Sequence, residues 1–228
     1  MKNKITSCIM IAIAGIIFAG FAGCKDDGES AGTITGSGKI VSENRNVAPF
    51  TEISVENAAD VQIIPADETA LRIEADDNII DKVLTRVENG KLIISNEKGS
   101  YEHATVKVYA SIKTLNKLEC SGTANFSTAQ PIKTDNLFCL IYGTATIRLE
   151  GTVNTATIEI DGTAAIRNYS LEAKNVKVAV NGTGKAEVYA SEQLEASING
   201  TGSITYAGNP GEVKQNVSGT GVITKKQS

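Results

Sequence analysis

The chain of 228 residues carries a formal net charge of −4, one histidine, four cysteines and no tryptophan. An acidic surface gives nucleic acid no electrostatic foothold, and the single histidine, His103, excludes a three-histidine metal site. Nothing in the composition asks for a cofactor.

Lys2 and Lys4 precede an uncharged apolar run from Ile5 to Ala22, closed by Phe21-Ala22-Gly23-Cys24. That layout predicts a secretory signal over residues 1–23. The small residues ahead of the cysteine resemble the bacterial lipobox, which implies cleavage before Cys24 and a lipid on its thiol. The alternative is an uncleaved transmembrane helix, for which the run is barely long enough. Loss of Lys2 and Lys4 takes the formal charge from −4 to −6. Residues 24–35 read as an acidic tether. Its Lys25-Asp26-Asp27-Gly28-Glu29 cluster resembles a signal for transport to the outer face in some Gram-negative lineages, against the plainer reading of a solvated linker. The expected location is the outer membrane, anchored through Cys24 and exposed at the cell surface, with the periplasmic face as the alternative.

The mature body is read as residues 36–228, with no Pro/Gly/Ser-rich linker dividing it. Its first half alternates in strand fashion at Ile53-Ser54-Val55, Val61-Gln62-Ile63, Leu71-Arg72-Ile73, Leu92-Ile93-Ile94 and Val106-Lys107-Val108. Asn89-Gly90 lies between Val87 and Leu92 and reads as a hairpin turn. His103, just before the last of these strands, reads as a surface or edge residue.

From residue 118 to about 224 a repeat takes over. Gly122, Gly143, Gly162, Gly182, Gly200 and Gly219 are each followed by a threonine, at spacings of 21, 19, 20, 18 and 19 residues. A period near 20 signals a solenoid of stacked coils. Counting from each glycine, position −2 is Cys120, Ile141, Ile160, Val180, Ile198 and Val217. Position −4 begins Leu118, Cys139, Ile158, Val178, and position −6 runs Leu137, Ala156, Val176, Leu194, Val213. Alternation by twos means a strand with one buried face. Position +4, Phe126, Ile147, Ile166, Ala186, Ile204 and Ile223, is a second inward column past a corner. Glycine is expected at that corner for its tolerance of positive φ. The fold class predicted is all-β, a right-handed parallel β-helix of about 20-residue coils with a less regular N-terminal half. A leucine-rich repeat has a similar period but not this strict alternation. Cys120 and Cys139, at −2 and −4 of adjacent coils, are expected about 8 Å apart, too far to bridge.

Three stretches of the first half, Asp77-Asn78-Ile79-Ile80-Asp81-Lys82-Val83, Val87-Glu88-Asn89-Gly90-Lys91-Leu92-Ile93-Ile94 and Leu115-Asn116-Lys117-Leu118-Glu119-Cys120-Ser121-Gly122, are similar to the GIN domain, the autotransporter-adhesin head family. The later Gly-Thr-Gly turns resemble it too, so the likeness covers roughly residues 36–224. The resemblance implies a β-helical domain on an envelope protein, often lipid-anchored, and assigns no chemistry.

Three outward features remain. The threonines after the corner glycines form a column of hydroxyls, read as satisfying backbone groups at each corner. Glu159 and Asp161, about 7 Å apart by strand rise, approach the spacing of an inverting glycosidase pair, against a reading as solvated surface. At +5 and +7, Arg148, Arg167, Tyr169 and Tyr189 are expected to line up along one flat side as a ligand-binding stripe, against a cross-coil Arg167–Glu187 ion pair with tyrosines packing over a neighbouring loop. The function expected is a non-catalytic, adhesin-like binding or structural module meeting an extracellular glycan or protein, with no metal. The alternative is a carbohydrate-active β-helix enzyme. A third possibility is a periplasmic envelope component with no external ligand.

Overall fold

Residues 32–227 are described by the computed structural model. The signal segment, Cys24 and the acidic cluster after it lie outside the described residues.

The glycine repeat folds as the alternation requires. Before the corner, Lys117–Cys120, Ile132–Ile141, Gly151–Ile160, the latter parts of Thr163–Val180 and Thr183–Ile198, and Glu212–Val217 stack as parallel neighbours. Cys120 lies beside Ile141, Ile141 beside Ile160, Ile160 beside Val180 and Val180 beside Ile198. After the corner, Thr123–Thr128, Thr144–Arg148, the starts of the two long strands, Thr201–Ala207 and Thr220–Lys225 stack likewise. The two columns face each other across a core of Leu118, Ile158, Val178, Phe126, Ile147 and Ile166, all buried. A third side begins at Ile132–Thr134, beside Gly151–Val153 and then Leu171–Ala173. The expected β-solenoid is the observed one.

The corner glycines are there for a different reason than positive φ, which none of the six adopts. A Cβ on Gly143 would lie 2.1 Å from the Gly122 carbonyl oxygen, one on Gly182 2.2 Å from that of Gly162, and one on Gly219 2.1 Å from that of Gly200. Coils touch backbone to backbone here, and any side chain would push them apart. The threonine hydroxyls do not serve the corner either. All six side chains are exposed and make no hydrogen bond among the described residues. Instead their backbone N–H groups close the corner, as when Thr163 donates to Gly143 and Thr201 to Gly182. Side chains one position before the glycine form a ladder. Asn181 donates to Asp161 at 2.8 Å, Asn199 to Asn181 at 2.8 Å and Ser218 to Asn199 at 2.6 Å.

The less regular half is built around the same stack. Glu52–Val55 and Ala58–Pro65 pair in parallel with Lys117–Cys120 and Thr123–Thr128, so residues 52–65 are a coil, with Asn57 standing where later coils have glycine. On their other side lie Lys91–Asn96 and Val106–Ile112, also parallel. The chain therefore lays down one coil, leaves through residues 66–90, builds the coil beneath it, and returns above it at Lys117. Antiparallel strands close this end: Val83–Glu88 on Lys91–Asn96, Ala70–Asp76 on Val106–Ile112, and Ile40–Arg45 on Ala70–Asp76. Asn89 and Gly90, with φ of 52° and 76°, make the hairpin turn read from the sequence.

The body starts before residue 36, for Thr33–Thr35 pairs with Ser100–Glu102. Asp76 holds this arm from inside. Its buried carboxylate accepts from the N–H groups of Gly38 and Thr105, both at 2.7 Å. Asp77 accepts from the Ser37 hydroxyl at 2.6 Å and pairs with Lys39, and together these hold its carboxyl below the usual range. His103 is exposed in the loop ahead of Val106–Ile112.

At the opposite end the final coil has, among the described residues, no neighbour beyond it. Val213 and Val217, in inward positions, are 39% and 44% exposed, whereas Leu194 and Ile198 one coil earlier are fully buried.

Cys120 and Cys139 are both buried and unpaired. Cys139 sits beside Leu118, two residues from Cys120, as the register required. Burial pushes their thiols up to about 11 and about 12, so neither presents a thiolate at neutral pH. Both are expected to resist iodoacetamide in the native protein and to react once it is unfolded in denaturant, read by peptide mapping. Native labelling of Cys139 would contradict the buried register. Gly182→Ala is expected to destabilise by about 2–3 kcal/mol in denaturant unfolding, because backbone cannot yield as a side chain does. Gly99→Ala, whose added Cβ would meet side-chain carbons of Tyr101 and Ile34 no closer than 3.5 Å, should change little.

Candidate functional site

Outward side chains of the after-corner strands make one broad face, because every second residue points away from the core. Across it, Arg72 and Glu74 lie beside Tyr109 and Lys107, these beside Gln62 and Asp60, these beside Ser127 and Asn125, and these beside Arg148 and Thr146. Residues between Tyr109 and Arg148 are short, and the face sinks into an open groove of about 470 Å³. Its floor offers the Gln62 amide and the hydroxyls of Ser127 and Thr146. Asn125 donates to Asp60 at 2.6 Å.

Tyr109 forms one wall and is held rigidly. Its hydroxyl donates to Glu74 Oε2 at 2.8 Å, the Arg72 guanidinium lies 3.9 Å above its ring, and Arg72 also pairs with Glu74. The Tyr109 hydrogen bond, followed by that from Arg72, lowers the Glu74 carboxyl. The Glu74 bond in turn raises the Tyr109 phenol, with burial adding to it. Lys107 completes this end, and Arg148 stands at the other.

The four residues expected to form one stripe are divided among three places. Arg148 borders the groove, and Arg167 follows it on the adjacent strand, one residue beyond the Ile147–Ile166 pair. Beyond Arg167 the register shifts, and Tyr189 pairs with Glu172 rather than Tyr169. The cause is visible in the spacing: the coil from Gly162 to Gly182 has 20 residues and the next has 18, so a bulge must absorb the difference. Asn168 sits at this bulge, buried, its Oδ1 accepting from the Leu149 N–H at 2.9 Å. Tyr189 consequently lines a second groove of about 340 Å³ on the third side, with Lys133, Asp135, Asn154 and Lys174. Tyr169 is half-buried under the Lys226 ammonium, 4.3 Å from its ring centre. Burial and the nearby Glu187 carboxylate raise its phenol. The expected Arg167–Glu187 pairing is a strand neighbourhood without an ion pair, since Glu187 turns to Lys185 at 2.6 Å.

Glu159 and Asp161 are both exposed on the before-corner side, and Asp161 accepts from Asn181. Among the described residues no group of three His, Cys, Asp or Glu side chains is placed to hold a metal. Sequence reasoning missed Tyr109 and the floor residues, because the pairing of residues 52–65 with residues 123–128 carries no motif.

Over residues 49–210 the sequence matches the family described as "Putative auto-transporter adhesin, head GIN domain". The chain belongs to this family. No curated protein matches it. Among solved structures, this GIN domain is similar to a putative adhesin from Bacteroides fragilis NCTC 9343, at 23% identity and a TM-score of 0.68, over 85% of this chain and 100% of that one. It is also similar to putative adhesins from Parabacteroides distasonis ATCC 8503 (23% identity, TM-score 0.53, 85% and 100% covered) and Parabacteroides merdae ATCC 43184 (21%, 0.51, 86% and 99%). At these identities the likeness is one of fold. The family match takes in the groove from Asp60 to Arg148 and the three arginines of the GIN domain's outward face, Arg72, Arg148 and Arg167.

Glu74→Gln removes the carboxylate charge that strengthens the hydrogen bond and raises Tyr109, leaving only a neutral amide oxygen to accept. Ultraviolet titration of the phenols should then show Tyr109 ionising at lower pH than in the parent, back toward its ordinary 10. The sign for stability follows from the lowered Glu74 carboxyl. Its contribution is present above the ordinary 4.5 and fades as pH falls through the folded-state value, so the variant should lose less stability on acidification than the parent.

Proposed function

We propose that this GIN domain is the displayed part of a lipid-anchored envelope protein and acts as a non-catalytic, adhesin-like binding module that meets an extracellular ligand on its broad outward face. The single observation that carries the reading is the groove between Tyr109 and Arg148. It is an open, polar depression on a rigid sheet, with hydrogen-bonding groups along its floor and larger charged or aromatic side chains at its ends. Family membership and the adhesin descriptions of its structural neighbours support the same class. The Lys2/Lys4, apolar run and Cys24 arrangement supports export and lipid attachment. Catalysis would need ionisable groups converging in a shielded cleft, and the Glu159/Asp161 pair stands in the open.

Arg148 and Arg167 belong to the contact surface in this reading. Tyr169 contributes where the Lys226 side chain swings aside, and Tyr189 extends contact onto the third side.

Two measurements test it. Cys24→Ala should move the protein from the membrane to the soluble fraction, and replacing Asp26 and Asp27 with alanine should keep it membrane-bound but shield it from protease added to whole cells. Purified protein should be retained on an array of glycans and matrix proteins without cleaving them. Cleavage of a polysaccharide that Glu159→Gln abolished would replace the binding reading with the enzymatic one.

A further inference from the structure

Of five arginines in the chain, three are answered within the protein. Arg45 pairs with Glu43 and donates to the Ile80 carbonyl, Arg72 pairs with Glu74, and Arg86 pairs with Glu56 and Glu88. Arg148 and Arg167 have neither an ion-pair partner nor a hydrogen bond among the described residues, and both are exposed. They are also neighbours on adjacent strands. Like charges placed side by side on a sheet repel, so the fold gains nothing from this pair. A carboxylate was within reach of a solution, since Glu187 lies directly beside Arg167, yet it is held by Lys185 at 2.6 Å. Arg148 at one end of the groove and Arg167 on the next strand are therefore two guanidiniums without a partner among the described residues, on a protein whose net charge is −4.

The rest of the groove narrows the choice of anion. Its floor is hydrogen-bonding, through Gln62, Ser127 and Thr146, with the Asp60 carboxylate of the Gln62 strand taken up by Asn125 at 2.6 Å, and its far end carries Lys107 and Tyr109, with Glu74 on the strand behind them. A nucleic acid needs a continuous basic track, and the lining of the groove offers only Lys107 and Arg148. A peptide would find no free strand edge in the groove, because each strand that lines it is paired on both sides. A chain of hydroxyl-rich rings bearing a carboxylate at intervals fits each part. The carboxylate takes the guanidinium forks, which match it in a two-point hydrogen bond, and the hydroxyls lie over the floor. Three strand spacings separate Tyr109 from Arg148, about 14 Å, a span of a few sugar rings.

We infer that the Tyr109–Arg148 groove binds a carboxylate-bearing polysaccharide, its acid group held by Arg148 and Arg167. This rests on the binding-face reading and names its ligand class. The probes are polygalacturonate, hyaluronan and polysialate, with fully methyl-esterified polygalacturonate, polyglutamate and duplex DNA as comparisons, measured with the purified full-length protein. Expected are binding to at least one of the three acidic glycans, and a loss of tenfold or more in affinity for Arg148→Gln with Arg167→Gln. The melting temperature should be unchanged or raised, because the substitution relieves repulsion. If polygalacturonate is the glycan bound, its ester should bind at least tenfold more weakly.

Equal binding of acid and ester would leave the adhesin reading standing and overturn the acidic class. Equal binding of polyglutamate or DNA would mean charge attraction only, and would overturn it as well. Binding to none of the three acidic glycans overturns the inference, while retention on the wider array decides the binding reading separately. Undiminished binding by the double variant, folded as its melting temperature reports, places the site elsewhere and overturns the assignment.

Discussion

At each corner a glycine Cα faces the carbonyl oxygen of the residue one coil earlier, at a separation that leaves no room for a side chain, while the next N–H donates to that same carbonyl. This contact sets the step between coils and, with it, the register of everything that follows. A one-residue slip in a strand turns every side chain to the opposite face, so a corner that admits only one registration protects all the inward columns together. Phe126 over Ile147 over Ile166, and Cys120 over Ile141 over Ile160, are consequences of that registration as much as of their own hydrophobicity. The Asp161–Asn181–Asn199–Ser218 ladder runs along the same corner and carries the registration into side chains.

A stack held this way has two ends, and they are treated differently. The amino-terminal end changes strand direction, and antiparallel strands close it with Asp76 buried as the tie between the arm and the loop at Thr105. The carboxylates of Asp76 and Asp77 are spent on backbone N–H groups and on Ser37 rather than on a ligand. The last coil is left without such a cover, and the apolar side chains that would be interior one coil earlier are partly in solvent.

Between the ends, the outward positions are free of the core's demands. Where the sheet passes from the antiparallel cap into the parallel stack, large side chains of Arg72 and Tyr109 give way to the small ones of Ser127 and Thr146, and a groove results. Its rigidity comes from the paired strands that form its floor. Its electrostatics come from an uneven distribution of partners, with Arg72 and Lys185 matched to glutamates while Arg148 and Arg167 are left free. A bulge at Asn168 then ends the face's regular register and turns Tyr189 onto a different side.

The repeat, its period, its inward columns and the separation of Cys120 from Cys139 were all legible in the sequence, because each is a consequence of local alternation repeated at a fixed interval. The Asn89-Gly90 hairpin was legible for the same reason: two residues suffice to specify it. The coil at residues 52–65 was not, since it joins the stack with Asn57-Ala58 at its corner and is separated from its neighbour by residues 66–116. Nor was the reason for the corner glycines, which is a contact between coils and not a preference of the residue. Arg148 and Arg167 could be placed on one face from their +5 positions, while the split of Tyr169 from Tyr189 required the bulge to be seen. The sequence by itself determined the coil, because burial and alternation act over a few residues. Only the tertiary structure decided the groove, because Tyr109, Gln62, Ser127 and Arg148 come from strands whose adjacency is set by the order in which the chain stacks its coils.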